Sequence, residues 1–262
     1  MYRSQSLTPV IDVRGVGKTF ASQAGDTEAL ADVTLAVAAG EVVSIIGPSG
    51  CGKSTLLRIV GDLVDPSSGH VSVRGKPPRQ ARLDRDYGIV FQTPVLYDWR
   101  TVLENVRLPL ELAGRPRPER ETRPPALLRL VGLEDFHGHY PWQLSGGMQQ
   151  RVAIARALAL EPSILLMDEP FGALDEMTRE RLNAELLRVC DATGATTLFV
   201  THSIAEAVFL SSRVVVMTPR PGRIARIVEV DLPRPRTDET RGRQRFFELV
   251  TAVRESLQKA GA

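Results

Sequence analysis

The chain has 262 residues, 43% of them hydrophobic and 24% charged, enough for a sizeable buried core and better suited to one domain with an inserted subdomain than to two full domains. Lysine and arginine number 33 against 31 acidic residues, a formal net charge of +2, so charge gives nucleic-acid binding no support. Two cysteines, Cys51 and Cys190, make no disulfide framework and suit a reducing cytoplasm; the first nine residues lack a signal-peptide core and no apolar run reaches membrane-spanning length, so a soluble chain is expected.

In chain order, residues 10–14 and 28–37 have the alternating or β-branched pattern of strands, joined through 16–20 and a polar loop at 21–27, which suggests an antiparallel flank. Phe20 closes the first segment, where stacking on a purine base and ordinary core packing are both open. The apolar run 42–46 reads as a buried strand leading into Gly47-Pro48-Ser49-Gly50-Cys51-Gly52-Lys53-Ser54, a full match to the phosphate-binding loop pattern G-x-x-x-x-G-K-[ST]. Its glycines let the backbone turn N–H groups toward a polyphosphate, and a helix over 56–60 aims its positive end at the same anion. Lys53 would reach the β- and γ-phosphates and Ser54 would ligate Mg²⁺. This stretch predicts a nucleoside triphosphate site.

Residues 65–69 form a turn, 70–74 a short strand, 79–86 a polar connection and 87–91 a further strand with Gln92 at its end. From 93 to 141 the composition shifts to an all-helical insert: apolar residues recur at helical spacing over 101–112, and a helix resumes over 126–133 after Pro124 and Pro125. The basic, proline-rich stretch 115–125 reads as a connector that a continuous helix cannot cross. His137 and His139 lie in its last loop, solvated or, with a poor ligand spacing, part of a metal site.

Leu144-Ser145-Gly146-Gly147-Met148-Gln149-Gln150-Arg151 opens a helical run to 160, which makes a second helix N-terminus with unpaired N–H groups and so a second anion site. Ile164-Leu165-Leu166-Met167-Asp168-Glu169 is a buried strand delivering two acids at its C-terminal end, where ligands sit in open α/β sheets. Asp168 would share Mg²⁺ with Ser54, and Glu169 would polarise an attacking water. The strand 196–200 ends on Thr201-His202-Ser203.

These motifs in this order, with Ala173-Leu174-Asp175, resemble the ATP-binding subunit of ATP-binding cassette (ABC) transporters over residues 10–230. The resemblance implies that Gln92 senses metal and water, that His202 contacts the γ-phosphate, that Asp175 lies at the subunit boundary and that Phe20 stacks on adenine. It extends the nucleotide-binding set from Gly47 through Ser54 to Thr55. It also implies that Ser145, Gly146, Gly147 and Gln149 clamp the nucleotide held by the opposite subunit of a homodimer. Pro141-Trp142-Gln143, the phrase from Met167 to Asp175, the stretch from Thr201 to Leu210 and Pro219-Arg220-Pro221-Gly222-Arg223-Ile224 look like the nitrate, sulfonate and taurine importer branch, which includes pyrimidine-precursor uptake. Gly61-Asp62 and Pro124-Pro125 depart mildly from its pattern.

Residues 214–218 and 223–230 flank the Pro-Arg-Pro-Gly turn as a hairpin, and 241–260 place Phe246, Phe247, Leu249, Val250, Val253 and Leu257 on one face of a capping helix. The expected fold is α/β: a phosphate-loop NTPase core with a mostly parallel sheet, an antiparallel β flank and an inserted α-helical subdomain, in one domain over 1–262 with the insert at about 93–141 and the C-terminal hairpin and helix at about 213–262. The expected function is MgATP hydrolysis by a head-to-tail homodimer at the cytoplasmic face of the membrane, driving a separate permease served by an external binding protein. The segment 93–107, with Tyr97, Asp98 and Trp99, is the surface best placed to receive the permease, although a tryptophan there also suits the domain's own core. A soluble ABC-type ATPase of DNA repair or translation is the alternative, usually marked by a long coiled-coil insert or a second cassette; a regulator without turnover would be expected to lose Glu169 or His202.

Overall fold

The runs 42–46, 164–168 and 196–200 are wholly buried, as strands covered on both faces must be, and they form the middle of a parallel sheet. The computed structural model describes residues 8–22, 25–172 and 174–261; residues 1–7 of the leading segment, 23–24 of the polar loop and Ala173 of the Ala173-Leu174-Asp175 motif lie outside these. Strands β1 (Ile11–Phe20), β2 (Thr27–Val37) and β4 (Ser68–Val73) make an antiparallel sheet with β1 in the centre. The main sheet contains β3 (Val42–Ile46), β5 (Tyr87–Val90), β6 (Ile164–Asp168), β7 (Thr196–Val200), β8 (Arg213–Met217) and β9 (Ile224–Glu229) in the order β5-β6-β7-β3-β8-β9. All its pairings are parallel except β8 with β9, the expected hairpin.

Helix α1 (Lys53–Val60) follows β3 and contributes Leu56, Leu57, Ile59 and Val60 to the core that joins the antiparallel sheet to one face of the main sheet. Burying side chains of this size contributes about 1.5–3 kcal/mol each. The other face is covered by α3 (Val102–Leu112), α4 (Arg117–Leu130), α5 (Gly146–Ala157), α6 (Glu176–Thr193), α7 (Ile204–Leu210) and α9 (Gln244–Gly261). The short α2 (Pro78–Leu83) and α8 (Asp238–Arg241) complete the chain.

Four expectations need correction. The first flank strand does not stop at Arg14: β1 continues to Phe20 because the register slips between Val13 and Val16, where Gly15 takes φ +59° and absorbs a bulge. The stretch 79–86 is not only a connection. Its helix α2 buries Ala81 alone, too little to give a periodic pattern, and is held instead by a proline in its first turn and by polar contacts such as Arg82 to Asp62 at 2.7 Å.

The third correction is the proline-rich connector, which is helix: α4 runs straight through Pro124 and Pro125. The two prolines cost the bonds to the carbonyls of Arg120 and Glu121, but Pro124, Leu127 and Leu128 are buried and α4 packs on α3 and α5, so tertiary packing overrides the local cost. Arg123 adds a bond from its Nε to the Ala159 carbonyl at 2.6 Å. The fourth concerns α9, where Phe246, Leu249 and Val253 face the core but Phe247 stays 57% exposed, one helical step off that face. The loop of His137 and His139 has a structural task, since their carbonyls accept the N–H groups of Leu103 and Val102 at the start of α3.

Candidate nucleotide site

The phosphate-loop motif leaves the buried end of β3 and closes on Gly52, the N-cap of α1, at φ +100°. A Cβ on Gly52 would sit 2.8 Å from the Ala29 carbonyl, so only glycine lets the loop approach β2 this closely. The first turn of α1 holds no acidic residue, and its positive end is left to an outside anion. Lys53 is buried, with Nζ donating to the carbonyls of Gly47 at 2.9 Å and Pro48 at 3.0 Å. Cys51 is also buried, and burial pushes its thiol pKa up despite the neighbouring Lys53.

One cavity of about 240 Å³ gathers most of the expected residues. Ser49, Gly50, Gly52, Lys53, Ser54 and Thr55 line its phosphate-loop side, Phe20, Thr27 and Ala29 its flank side, and Glu169 and His202 a third wall. The Phe20 ring is 42% exposed with Lys18 Nζ 5.0 Å from its centroid, so it is not core packing. Gly47, Pro48 and Cys51 belong to the loop but do not line the cavity among the described residues.

The acidic pair behaves as two separate devices. Asp168, buried at the end of β6, accepts a hydrogen bond from Ser54 Oγ at 2.7 Å. Glu169 adopts φ +48°, a left-handed conformation that costs a non-glycine residue about 1–3 kcal/mol, with its N–H donated to the Val200 carbonyl at 3.0 Å. The twist brings Glu169 Oε1 to 2.6 Å from His202 Nε2. Gln92 is exposed, follows β5 at the same edge of the sheet and does not reach the cavity wall.

Residues 30–172, more than half of the chain, match the family described as ABC transporter. The chain belongs to the ABC transporter family. It is 51% identical over 226 residues to an uncharacterized ABC transporter ATP-binding protein of Methanocaldococcus jannaschii, covering 86% of this chain and 84% of the relative. It is 48% identical over 216 residues to the taurine import ATP-binding protein of Rhizobium johnstonii, covering 82% of each. A solved dimeric ATP-binding cassette in a post-hydrolysis state with ADP and Pi superposes with a TM-score of 0.75 at 38% identity, over 84% of this chain and 98% of that one.

As an ABC ATP-binding subunit the chain is an ATPase, and the motif from Leu144 to Arg151, its signature motif, occupies a separate surface. Ser145 is the N-cap of α5, its Oγ accepting from Met148 N at 3.3 Å; Ser145 and Gly146 are exposed, and a Cβ on Gly146 would meet nothing within 4 Å. Gly147 is buried against Leu182 of α6. Gln149 turns back on its own loop, donating Nε2 to the carbonyls of Pro141 at 3.0 Å and Leu144 at 3.3 Å. None of these residues lines the cavity of its own chain. Asp175 caps α6, accepting from Thr178 N at 2.9 Å, a bond that holds its carboxyl below the usual range.

Trp99 is 73% exposed and stacks edge-on against Tyr97, so it does not cover the core. Buried Asn105 holds the loop that carries it, bonding the N–H of Tyr97 and the carbonyls of Tyr97, Arg100 and Thr101. Sequence reading missed Arg220 in the cavity wall, because its Pro-Arg-Pro-Gly context signals only a turn.

Proposed function

We propose that this chain hydrolyses MgATP to energise a separate membrane permease of a solute importer, acting as a peripheral head-to-tail homodimer at the cytoplasmic face and served by an external binding protein. The likeness to a taurine import protein supports a nitrate-, sulfonate- or taurine-like solute, with pyrimidine precursors in the same class. No helix among the described residues is long and apolar enough to cross a membrane, consistent with a partner supplying the pore.

The observation that carries this reading is the pairing of Ser54 with Asp168 and of Glu169 with His202 around one phosphate loop. Ser54 Oγ and Asp168 Oδ1, 2.7 Å apart, are hard oxygen donors of the kind Mg²⁺ selects, so the residues fit the metal, with Gln92 as a third candidate donor. When bound, Mg²⁺ neutralises charge on the β- and γ-phosphates. Lys53 and the loop N–H groups bind the triphosphate, Phe20 stacks on adenine, Glu169 takes a proton from the attacking water, and His202, its Nε2 2.6 Å from Glu169 Oε1, orients the Glu169 carboxylate and faces the γ-phosphate. Exposed Ser145 and Gly146, which do not line their own chain's cavity, support a composite site in which Ser145, Gly146, Gly147 and Gln149 close over the nucleotide of a second copy, with Asp175 at the boundary.

A strain lacking this chain is expected to lose growth on one solute of this class supplied as sole nitrogen or sulfur source, and tagged protein is expected to co-purify with a permease from membranes. Undiminished growth on every such solute, with no permease recovered, overturns the importer assignment.

A further inference from the structure

Arg220 lies in the turn between β8 and β9, 170 residues along the chain from the phosphate loop it touches. Its Nε and one terminal nitrogen, at 3.1 and 3.0 Å, both donate to the Gly50 carbonyl. That carbonyl belongs to the turn Pro48-Ser49-Gly50-Cys51, closed by Cys51 N donating to Pro48 O at 3.3 Å with Gly50 at φ +73°. A peptide plane held at its oxygen by two charge-assisted bonds is fixed in orientation together with the Cys51 N–H that shares it, which sets where the loop backbone turns toward Gly52 and Lys53.

The platform under Arg220 is braced. Across its width Thr218 N donates to the Arg223 carbonyl at 2.9 Å and Thr218 Oγ1 accepts from Arg223 N at 3.0 Å, while the Thr218 hydroxyl lies 3.0 Å from the Pro219 carbonyl and 3.2 Å from that of Pro221 as its acceptors. Gly222 N donates to Ala29 O at 3.0 Å and Gly222 O accepts from Ala31 N at 3.1 Å, which docks the turn on β2. A Cβ on Gly222 would fall 1.9 Å from the Cys51 carbonyl, so the turn rests directly on the loop backbone one residue beyond Gly50. Arg220 and Gly50 line the same cavity as Thr27 and Ala29 of β2. One braced turn thus connects the phosphate side of the cavity to its flank side.

We propose that Arg220 is a positioning residue of the nucleotide site, holding the Gly50 peptide so that the phosphate loop is preorganised for the α- and β-phosphates. The inference rests on the nucleotide-site reading and adds to it a residue from the C-terminal hairpin. The loop N–H groups cradle the α/β-phosphates, so affinity for ATP and ADP falls together when Arg220 is lost, while chemistry at the γ-phosphate, handled by Glu169 and His202, changes little once the site is full.

The test is titration of the purified chain with MgATP and MgADP, with turnover measured separately at saturation. Arg220→Ala is expected to weaken both nucleotides about tenfold and to leave kcat within about threefold, the signature of lost binding that ground and transition states share. Arg220→Lys supplies charge without the planar fork and is expected to recover only part of the affinity. Thermal unfolding without nucleotide confirms that each variant is folded, and Arg220→Lys stands in if the alanine variant is not. Unchanged affinity in a folded variant overturns the proposal, as does a loss for ATP without ADP, which would mean a direct γ-phosphate contact. Failure of the unmutated chain to bind either nucleotide would instead sink the site reading itself.

Discussion

Gln150, buried in α5, donates its side-chain amide to the main-chain carbonyl of Phe91 at 3.1 Å, one residue before Gln92. Six residues later on the same helix Arg156 donates to the carbonyls of Pro94 at 2.9 Å and Val95 at 2.7 Å. The helix that begins at Ser145 therefore holds the segment carrying Gln92 on both sides. Gln150→Leu leaves the Phe91 carbonyl without its partner, which costs about 1–3 kcal/mol. The unfolding midpoint is expected to fall by about 2–4 °C per kcal/mol lost. A midpoint equal to that of the unmutated chain in differential scanning calorimetry would mean that the tie contributes nothing.

Lys53→Ala removes the buried ammonium that bridges the Gly47 and Pro48 carbonyls. ATP binding or turnover should be abolished. Near-normal hydrolysis by a purified preparation would refute the assignment of the loop to ATP.

Glu169→Gln keeps the shape of the side chain and a contact to His202 but cannot accept a proton. Loss of a positioned base costs about 10²- to 10⁴-fold in rate, while ATP binding should survive and accumulate on a stable dimer. Size-exclusion chromatography with saturating MgATP reads the dimer, and a phosphate-release assay reads the rate. The role fails if the variant stays monomeric and hydrolyses at the original rate.

What the sequence disclosed were the features whose cause is local. The phosphate loop follows the five buried residues of β3, four of them apolar, and the acids follow a similar run in β6, so spacing alone located both. Helix α4 was hidden because the packing that rescues Pro124 and Pro125 comes from α3 and α5, not from the residues around them. Gln149 offered the same difficulty at smaller scale: nothing in the motif announces that its amide bonds the carbonyls of Pro141 and Leu144. Arg220 is the extreme case, since nothing near it in the chain indicates that its partner is Gly50.

Trp99 stands out on a loop held rigid by Asn105, a preorganised aromatic anchor of the kind that dominates protein interfaces. Trp99→Ala is expected to weaken permease association more than the basal ATPase of the isolated chain, read by co-purification from membranes alongside a phosphate-release assay. Unchanged complex assembly and transport would remove Trp99 from the interface.

The composite site is tested by two complementary lesions. Ser145→Arg places a bulky cation at the exposed N-cap of α5 without touching the chain's own cavity, and Lys53→Ala damages the cavity without touching α5. Each mutant homodimer should be inactive, because every site then combines one intact half with one damaged half. In a mixed dimer one site pairs the two lesions, while the other joins an intact phosphate loop to an intact signature. Mixing two inactive proteins is therefore expected to restore measurable ATPase if one competent site turns over alone. The decisive sample is Ser145→Arg by itself: if it dimerises normally and hydrolyses ATP at the unmutated rate, Ser145 does not meet the reacting phosphate of the second copy, and the head-to-tail arrangement is wrong.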